Sequence, residues 1–458
     1  MLRTIFGLSC ILGFTWFALF SNYAAMLMYW WFAVFRPQEW MWWDLSYLRL
    51  PTIAAALFFI PSLINRHSPF WRNALCIIMF AFMAQIFLSE QLMGCAGTVL
   101  DIVNTRTLKV GLVLILAALI SARICKTPTQ ILGWILLVIV SLSFLNAKLG
   151  LAAILTGKTL YNIEIGGGGF AGTNNAAMGG VMTFILALFM MQIALFKDKI
   201  YLPNIKFRNV SIWVVRLLLL IIIMGLAAFV VATESRGSGL ALGLATAVWM
   251  LLHQKRLRVV MVASVIALVV LGTVGIPEGY KERLATAFID IDEQEDISVQ
   301  SRPHFWNAAK SMARDNPMGI GIGCYKAYYD FYDTSLGHFG TQRSVHSSHY
   351  AILAELGYPG FAMWVALFVI AFWKLFKLRY RWANYLDKEK HAYMFYYFAN
   401  ACIALKIGFL FGGSFYEMWL NDITWMVFAM VIAVERFSSV EYEIVKARER
   451  MLQAELKT

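Results

Sequence analysis

The stretch IWVVRLLLLIIIMGLAAFVVATESRGSGLALGLATAVWMLLH, Ile212–His253, holds two apolar runs joined by one short polar turn. A run like Ile212–Ala232 has the length of a helix that crosses a hydrocarbon layer about 30 Å thick. Backbone groups in that layer must be satisfied within the protein, so helix is the expected form. Towards the N-terminus, further runs centre on Ile5–Phe20, Tyr23–Phe35, Pro51–Ile64, Ala74–Ser89, Leu108–Ala122, Ile131–Ala147 and Ala176–Phe196. Towards the C-terminus they centre on Val259–Val274, Phe361–Phe376, Tyr393–Phe411 and Met418–Val434. About 12–13 spanning helices are expected, the lower number if the first two short runs act as one broken element. The fold class is an all-α polytopic membrane protein.

Composition agrees. With 60% apolar and 14% charged residues, the chain cannot cover a water-exposed globular surface. The net charge of +12 does not point to nucleic acid, because Lys and Arg sit mainly in short loops between the runs. Those loops are 65–72, 122–130, 197–208, 253–258 and 374–390, and by the positive-inside rule they are cytoplasmic. Alternation then places 148–175, 233–238 and the long polar segment 272–355 outside, and the N-terminus outside if there are 13 helices. The apolar stretch after Arg3 shows no small-residue cleavage site, so no cleavable signal peptide is expected. The expected organisation is 1–271, N-terminal membrane helices; 272–355, a periplasmic loop with short amphipathic helices; 356–435, C-terminal membrane helices; and 436–458, a cytoplasmic tail. Trp30, Trp31, Trp40, Trp42 and Trp43 read as interfacial aromatics, with a lipid-guiding role for the Trp40–Trp43 cluster as the alternative.

The six cysteines form no CxxC pair and no Cys/His metal spacing. Cys95 and Cys324 fall in loops placed outside the cytosol, with a disulfide between them the less favoured reading.

Four of the seven histidines lie in the polar segment 272–355. Three constellations carry chemistry. Thr233–Gly239, TESRGSG, puts Arg236 among small residues at the outer face. A guanidinium there suits bidentate phosphate binding, while pairing with Glu234 or snorkelling to the interface stands equally open. Ser301–Arg314 reads as an amphipathic helix with Pro303 near its start and Arg302 at an N-terminal end that favours anions, or as a helix lying on the membrane with Arg302 solvated. His346 and His349 are spaced to share a helix face with Leu353, and an imidazole is suited to accept a hydroxyl proton near neutral pH. A core-packing role stands beside that reading. His346, His349 and Glu355 do not make the HExxH zinc pattern, so no metal is expected.

Arg343 lies close to this group, and Asn174 and Asn175 either cap a helix or hydrogen-bond a sugar. The acidic run Asp290–Asp296 lacks the glycine and spacing of a calcium loop and reads as solvated. Gly166–Gly169 is not followed by GK[ST] and is no phosphate loop.

Taken in order, SRG at Ser235–Gly237, the run RPHFW…DNPMGIGIG from Arg302 to Gly323 and the block from His346 to ELGYPG at Glu355–Gly360 resemble the bacterial O-antigen ligase and polymerase superfamily. The segment WWFAVFRPQEW, Trp30–Trp40, is similar to the exosortase-associated O-glycosylation ligase branch. The resemblance covers roughly residues 150–435. It implies a lipid-dependent, GT-C-like glycosyltransferase of the bacterial inner membrane with its active site facing the periplasm. The donor would be a glycan on undecaprenyl diphosphate, and the acceptor a glycan, lipid or protein hydroxyl. Arg236 and Arg302 would hold the diphosphate and His346 would take the acceptor proton, with inversion and without metal or other cofactor. His349 departs from the family, whose members often carry an apolar or aromatic residue there, and the acidic insertion is another difference. A polymerase is the nearest alternative. A lipid-linked sugar flippase would need charges spread through the helices, and here they are gathered in one loop.

Overall fold

The computed structural model describes residues 2–41, 48–64, 72–95, 101–160, 172–196, 212–254 and 297–456. Expectations for Trp42, Trp43, Gly166–Gly169, Val259–Val274, Asp290–Asp296 and most of the basic loops at 65–72, 197–208 and 253–258 lie outside those residues.

The chain is an all-α polytopic membrane protein, with no strand among the described residues. Its helices are α1 (Leu2–Phe20), α2 (Asn22–Val34), α3 (Pro37–Trp40), α4 (Leu50–Ile64), α5 (Ala74–Met93), α6 (Asp101–Ile124), α7 (Pro128–Thr156) and α8 (Thr173–Phe196). These are followed by α9 (Ile212–Ala232), α10 (Arg236–Leu252), α11 (Ile297–Asp315), α12 (Tyr325–Tyr332), α13 (Ser348–Trp382), α14 (Ala392–Gly412) and α15 (Asp422–Glu455). Nine helices among the described residues are long and apolar enough to cross a membrane, and α4 and α10 are shorter apolar helices. The first two runs are separate helices, because Ser21 breaks the run and caps α2 through the Ala24 N–H.

Contacts between sequence-distant residues sort the helix termini into two ends. At the lower end, Asn73 Nδ2 donates to Glu435, Lys374 pairs with Glu435 at 2.6 Å, and Arg436 donates to the Cys125 carbonyl. Arg379 and Asn400 both donate to the Leu252 carbonyl there. At the upper end, the Leu160 N–H donates to Ala232 O, Ser348 N–H donates to Gly413 O, and Tyr328 OH donates to Met93 O. These contacts give alternating ends to α5 to α10 and to α13 to α15.

Close approach in a bundle without a hydrophobic drive between helices relies on small residues. A Cβ on Gly150 of α7 would lie 1.8 Å from the Gly225 carbonyl of α9, so only glycine permits that crossing. Helix α14 is buried along almost its whole length, with α8, α10 and α13 packed around it. The tail beyond Glu435 is a continuation of α15.

One fold detail positions the site directly. Helix α13 contains Gly357 at φ 66°, ψ −168°, a non-helical break inside ELGYPG. The connection Asn316–Cys324 docks into this break. Tyr358 N–H donates to Pro317 O, Ile320 N–H to Ala354 O, and Gly321 N–H to Glu355 O. A Cβ on Gly357 would lie 2.1 Å from Pro317 O, and one on Gly319 2.3 Å from Glu355 O. Gln85 and Ser89 of α5 hold the joint, Gln85 donating to Met318 O and Leu356 O and Ser89 Oγ to Glu355 O. Contrary to the less favoured status given to it from sequence, a Cys95–Cys324 disulfide closes the same joint.

Candidate functional site

The short loop between α14 and α15, Gly413–Asn421, collects three other elements at the upper end. Helix α13 is fixed to it by Ser348. The Ser348 N–H donates to Gly413 O at 2.7 Å, its Oγ donates to Tyr416 O at 2.6 Å, and that Oγ accepts from Met418 N–H at 2.9 Å. Helix α10 is fixed by Ser235 and Gly237. Ser235 Oγ gives its proton to Ser238 Oγ at 3.0 Å, so Tyr416 OH is the donor in the 2.7 Å bond to Ser235. A Cβ on Gly237 would lie 2.5 Å from the Tyr416 oxygen. The SRG motif thus has a local reason: Ser235 bonds Tyr416, Gly237 makes room for it, and Arg236 becomes the first residue of α10, half-buried beside both. Helix α11 arrives through Arg302, whose guanidinium sits 5.4 Å from the Phe415 ring centre.

His346 precedes this meeting point by one residue of spacing. It has φ 49°, a left-handed conformation, and Ser347 after it caps α13 by accepting from Tyr350 N–H. The His346 ring lies 5.8 Å from Phe305, and its Nε2 is 3.3 Å from Ser344 Oγ. Burial pushes its pKa down to about 4, and the positive charges of Arg302, Arg343 and Lys326 act in the same direction. The ring is therefore neutral at ordinary pH, the form able to receive a proton. Arg343 is exposed with its guanidinium 5.8 Å from the Phe305 ring centre.

Two expectations are corrected. His346 and His349 do not share a helix face, because α13 begins only at Ser348. His349 Nε2 donates to the Leu410 carbonyl at 2.9 Å and its Nδ1 accepts from the Trp364 indole at 3.2 Å. A carbonyl can only accept and an indole only donate, so both nitrogens are committed and His349 is a tie between α13 and α14. Arg302 is not at a helix N-terminus, since α11 starts five residues earlier at Ile297 and carries Pro303 inside it. Glu355 is buried in α13, where its carbonyl anchors the Asn316–Cys324 joint. Asn174 and Asn175 lie in the first turn of α8; the Asn174 side is exposed and its carbonyl faces Ser238 Oγ at 3.5 Å.

The Gly413–Asn421 loop itself escaped sequence reading. Phe415 carries the Arg302 guanidinium, Tyr416 bonds Ser235 next to Arg236, and burial holds the Glu417 carboxyl above its ordinary pKa, with Lys326 opposing. The only local sign was a brief polar and aromatic interruption, GGSFYEMW, between two apolar runs. No group of three or more metal-ligating side chains exists among the described residues.

A family model described as O-antigen ligase matches residues 219–365. It spans Arg236, Arg302, Arg343, His346, His349 and Glu355, and stops before the Gly413–Asn421 loop. No curated protein matches the chain. Over residues 219–365, about a third of its length, the chain is similar to the O-antigen ligase family.

Proposed function

We propose that this protein transfers a glycan from undecaprenyl diphosphate to an acceptor hydroxyl at the periplasmic face of a bacterial inner membrane. The observation that carries the reading is that one loop, Gly413–Asn421, takes the Arg302 guanidinium on Phe415, Ser235 beside Arg236 on Tyr416, and Ser348, two residues after His346, on the Tyr416 carbonyl, with the Arg302 charge felt at His346. Two guanidiniums can hold a diphosphate bidentately, and a neutral imidazole beside them can serve as base. The Cys95–Cys324 disulfide beside the site supports an oxidising compartment, and the basic lower end supports the opposite side as cytoplasmic.

In this mechanism the acceptor O–H gives its proton to His346 while its oxygen attacks the anomeric carbon. The carbon–oxygen bond to the diphosphate breaks, and the electron pair leaves with the phosphate oxygen. Arg236 and Arg302 offset the charge that grows there. Attack opposite the leaving group inverts the anomeric centre. No step needs a metal.

The test uses purified protein, undecaprenyl diphosphate-linked glycan and candidate acceptors. His346→Ala is expected to keep its fold and lose glycan transfer. Unchanged transfer in that variant defeats the base assignment. Arg302→Lys keeps the charge but loses the fork, and a drop on the order of 100-fold is expected, the scale for removing one charge-stabilising donor.

A further inference from the structure

The connection from α12 to α13, Asp333–Ser347, is built by its own polar groups. The Asp333 carboxylate accepts from Ser335 N–H, Ser335 Oγ, Gly337 N–H and Tyr329 OH. Asp330 Oδ1 accepts the Gln342 N–H at 2.7 Å. Two further turns are closed by His338 N–H to Ser335 O and Gly340 N–H to Gly337 O. The path of this strap is therefore set by carboxylates and turns, and both carboxylates are engaged in holding it.

At its apex the strap presents Phe339. That ring lies 4.8 Å from His304 of α11, 4.8 Å from His338 and 6.3 Å from Phe305. Phe305 in turn lies 5.8 Å from His346. A row of rings thus runs outward from His346. Phe305 is buried, Phe339 and His304 are half-exposed, and His338 is exposed. Among the described residues neither the His304 nor the His338 ring nitrogens have a hydrogen-bond partner.

We propose that Phe339, His304 and His338 form a sugar subsite in which a pyranose ring of the acceptor glycan is stacked and led to His346. A pyranose has an apolar C–H face and a rim of hydroxyls. It fits a surface that offers ring faces together with nitrogens able to donate or accept. The strap offers both. The acceptor is the occupant because the row begins at His346, the proposed base, while the Arg302 guanidinium proposed for the donor diphosphate packs on Phe415, which is not part of the row. The assignment to the acceptor rests on the function proposed above; sugar binding by the strap does not.

The test applies full-length protein in nanodiscs to an array of soluble hexose, N-acetylhexosamine and heptose oligosaccharides without lipid or diphosphate. Wild type and His346→Ala are expected to bind the same subset. Phe339→Ala is expected to bind it about tenfold more weakly, the scale of one lost aromatic contact, and Phe339→Trp to restore it. In turnover, Phe339→Ala raises KM for the bound glycan as acceptor and leaves KM for the lipid-linked donor unchanged. His304→Gln supplies a second variant, with an intact Cys95–Cys324 bond as the check that each variant is folded. The proposal is overturned if the array shows no binding, if folded Phe339→Ala binds like wild type, or if the donor KM moves instead. Loss of the His346 base assignment would leave the array result standing, so the two failures are distinguishable.

Discussion

His346 owes its low basicity to burial and to three cations, and each cause predicts a pH response. The free enzyme keeps this imidazole neutral down to about pH 4, so the acid limb of kcat/KM should fall there and not near the ordinary histidine value of 6.5. A bound diphosphate offsets the arginine charge and lets the pKa rise, so the acid limb of kcat should lie at higher pH. Arg343→Gln removes one of the depressing charges and should move the kcat/KM limb upward. Profiles of both parameters check this; coincident limbs in wild type would contradict it. Gly237 gives a second expectation at this scale. Gly237→Ala drives a methyl against the Tyr416 oxygen and should lower activity by displacing the start of α10. Tyr416→Phe removes that atom and should partly rescue the Gly237→Ala variant, although alone it costs about 1 kcal/mol for the lost bond to Ser235. A double-mutant cycle on thermal stability and transfer rate reads the coupling.

The helices were legible because a membrane leaves little choice. Apolar runs such as Ala392–Gly412 and Ile212–Ala232 are where the sequence puts them, within a few residues. Arg236, Arg302 and His346 were legible as motifs, because charged groups stand out against apolar runs. Element starts were harder. Ser347 caps α13 one residue after His346, so an assumed continuous helix paired His346 with His349 wrongly. The Gly413–Asn421 loop was not legible at all. It works through backbone carbonyls and one phenol on partners 68 and 181 residues away, contacts that leave no local period. At the scale of the element, the Gly357 break makes a sharp prediction. Gly357→Ala needs a Cβ 2.1 Å from Pro317 O at a left-handed φ, and should cost at least ~2 kcal/mol and undock Asn316–Cys324. His349→Ala loses two hydrogen bonds and should lower the melting temperature while leaving the acid limb of kcat/KM in place. A shift of that limb would mean that His349 belongs to the chemistry.

Across the whole molecule, the sorting of contacts into two ends is what gives the site a side. Lys310 is exposed on α11, and Asp387 lies between α13 and α14 at the lower end. A membrane-impermeant thiol reagent should label Lys310→Cys in intact spheroplasts and Asp387→Cys only after permeabilisation. The reverse pattern would place the site in the cytosol. Cys95 and Cys324 are 229 residues apart, with at least α6 to α10 synthesised between them. One sulfur therefore leaves the ribosome long before its mate and must wait unpaired while much of the bundle is inserted. With the proposed periplasmic side, maturation is tied to thiol oxidation in the envelope: cells short of oxidant would accumulate an inserted but unlatched protein, correct in its crossings and loose at its mouth.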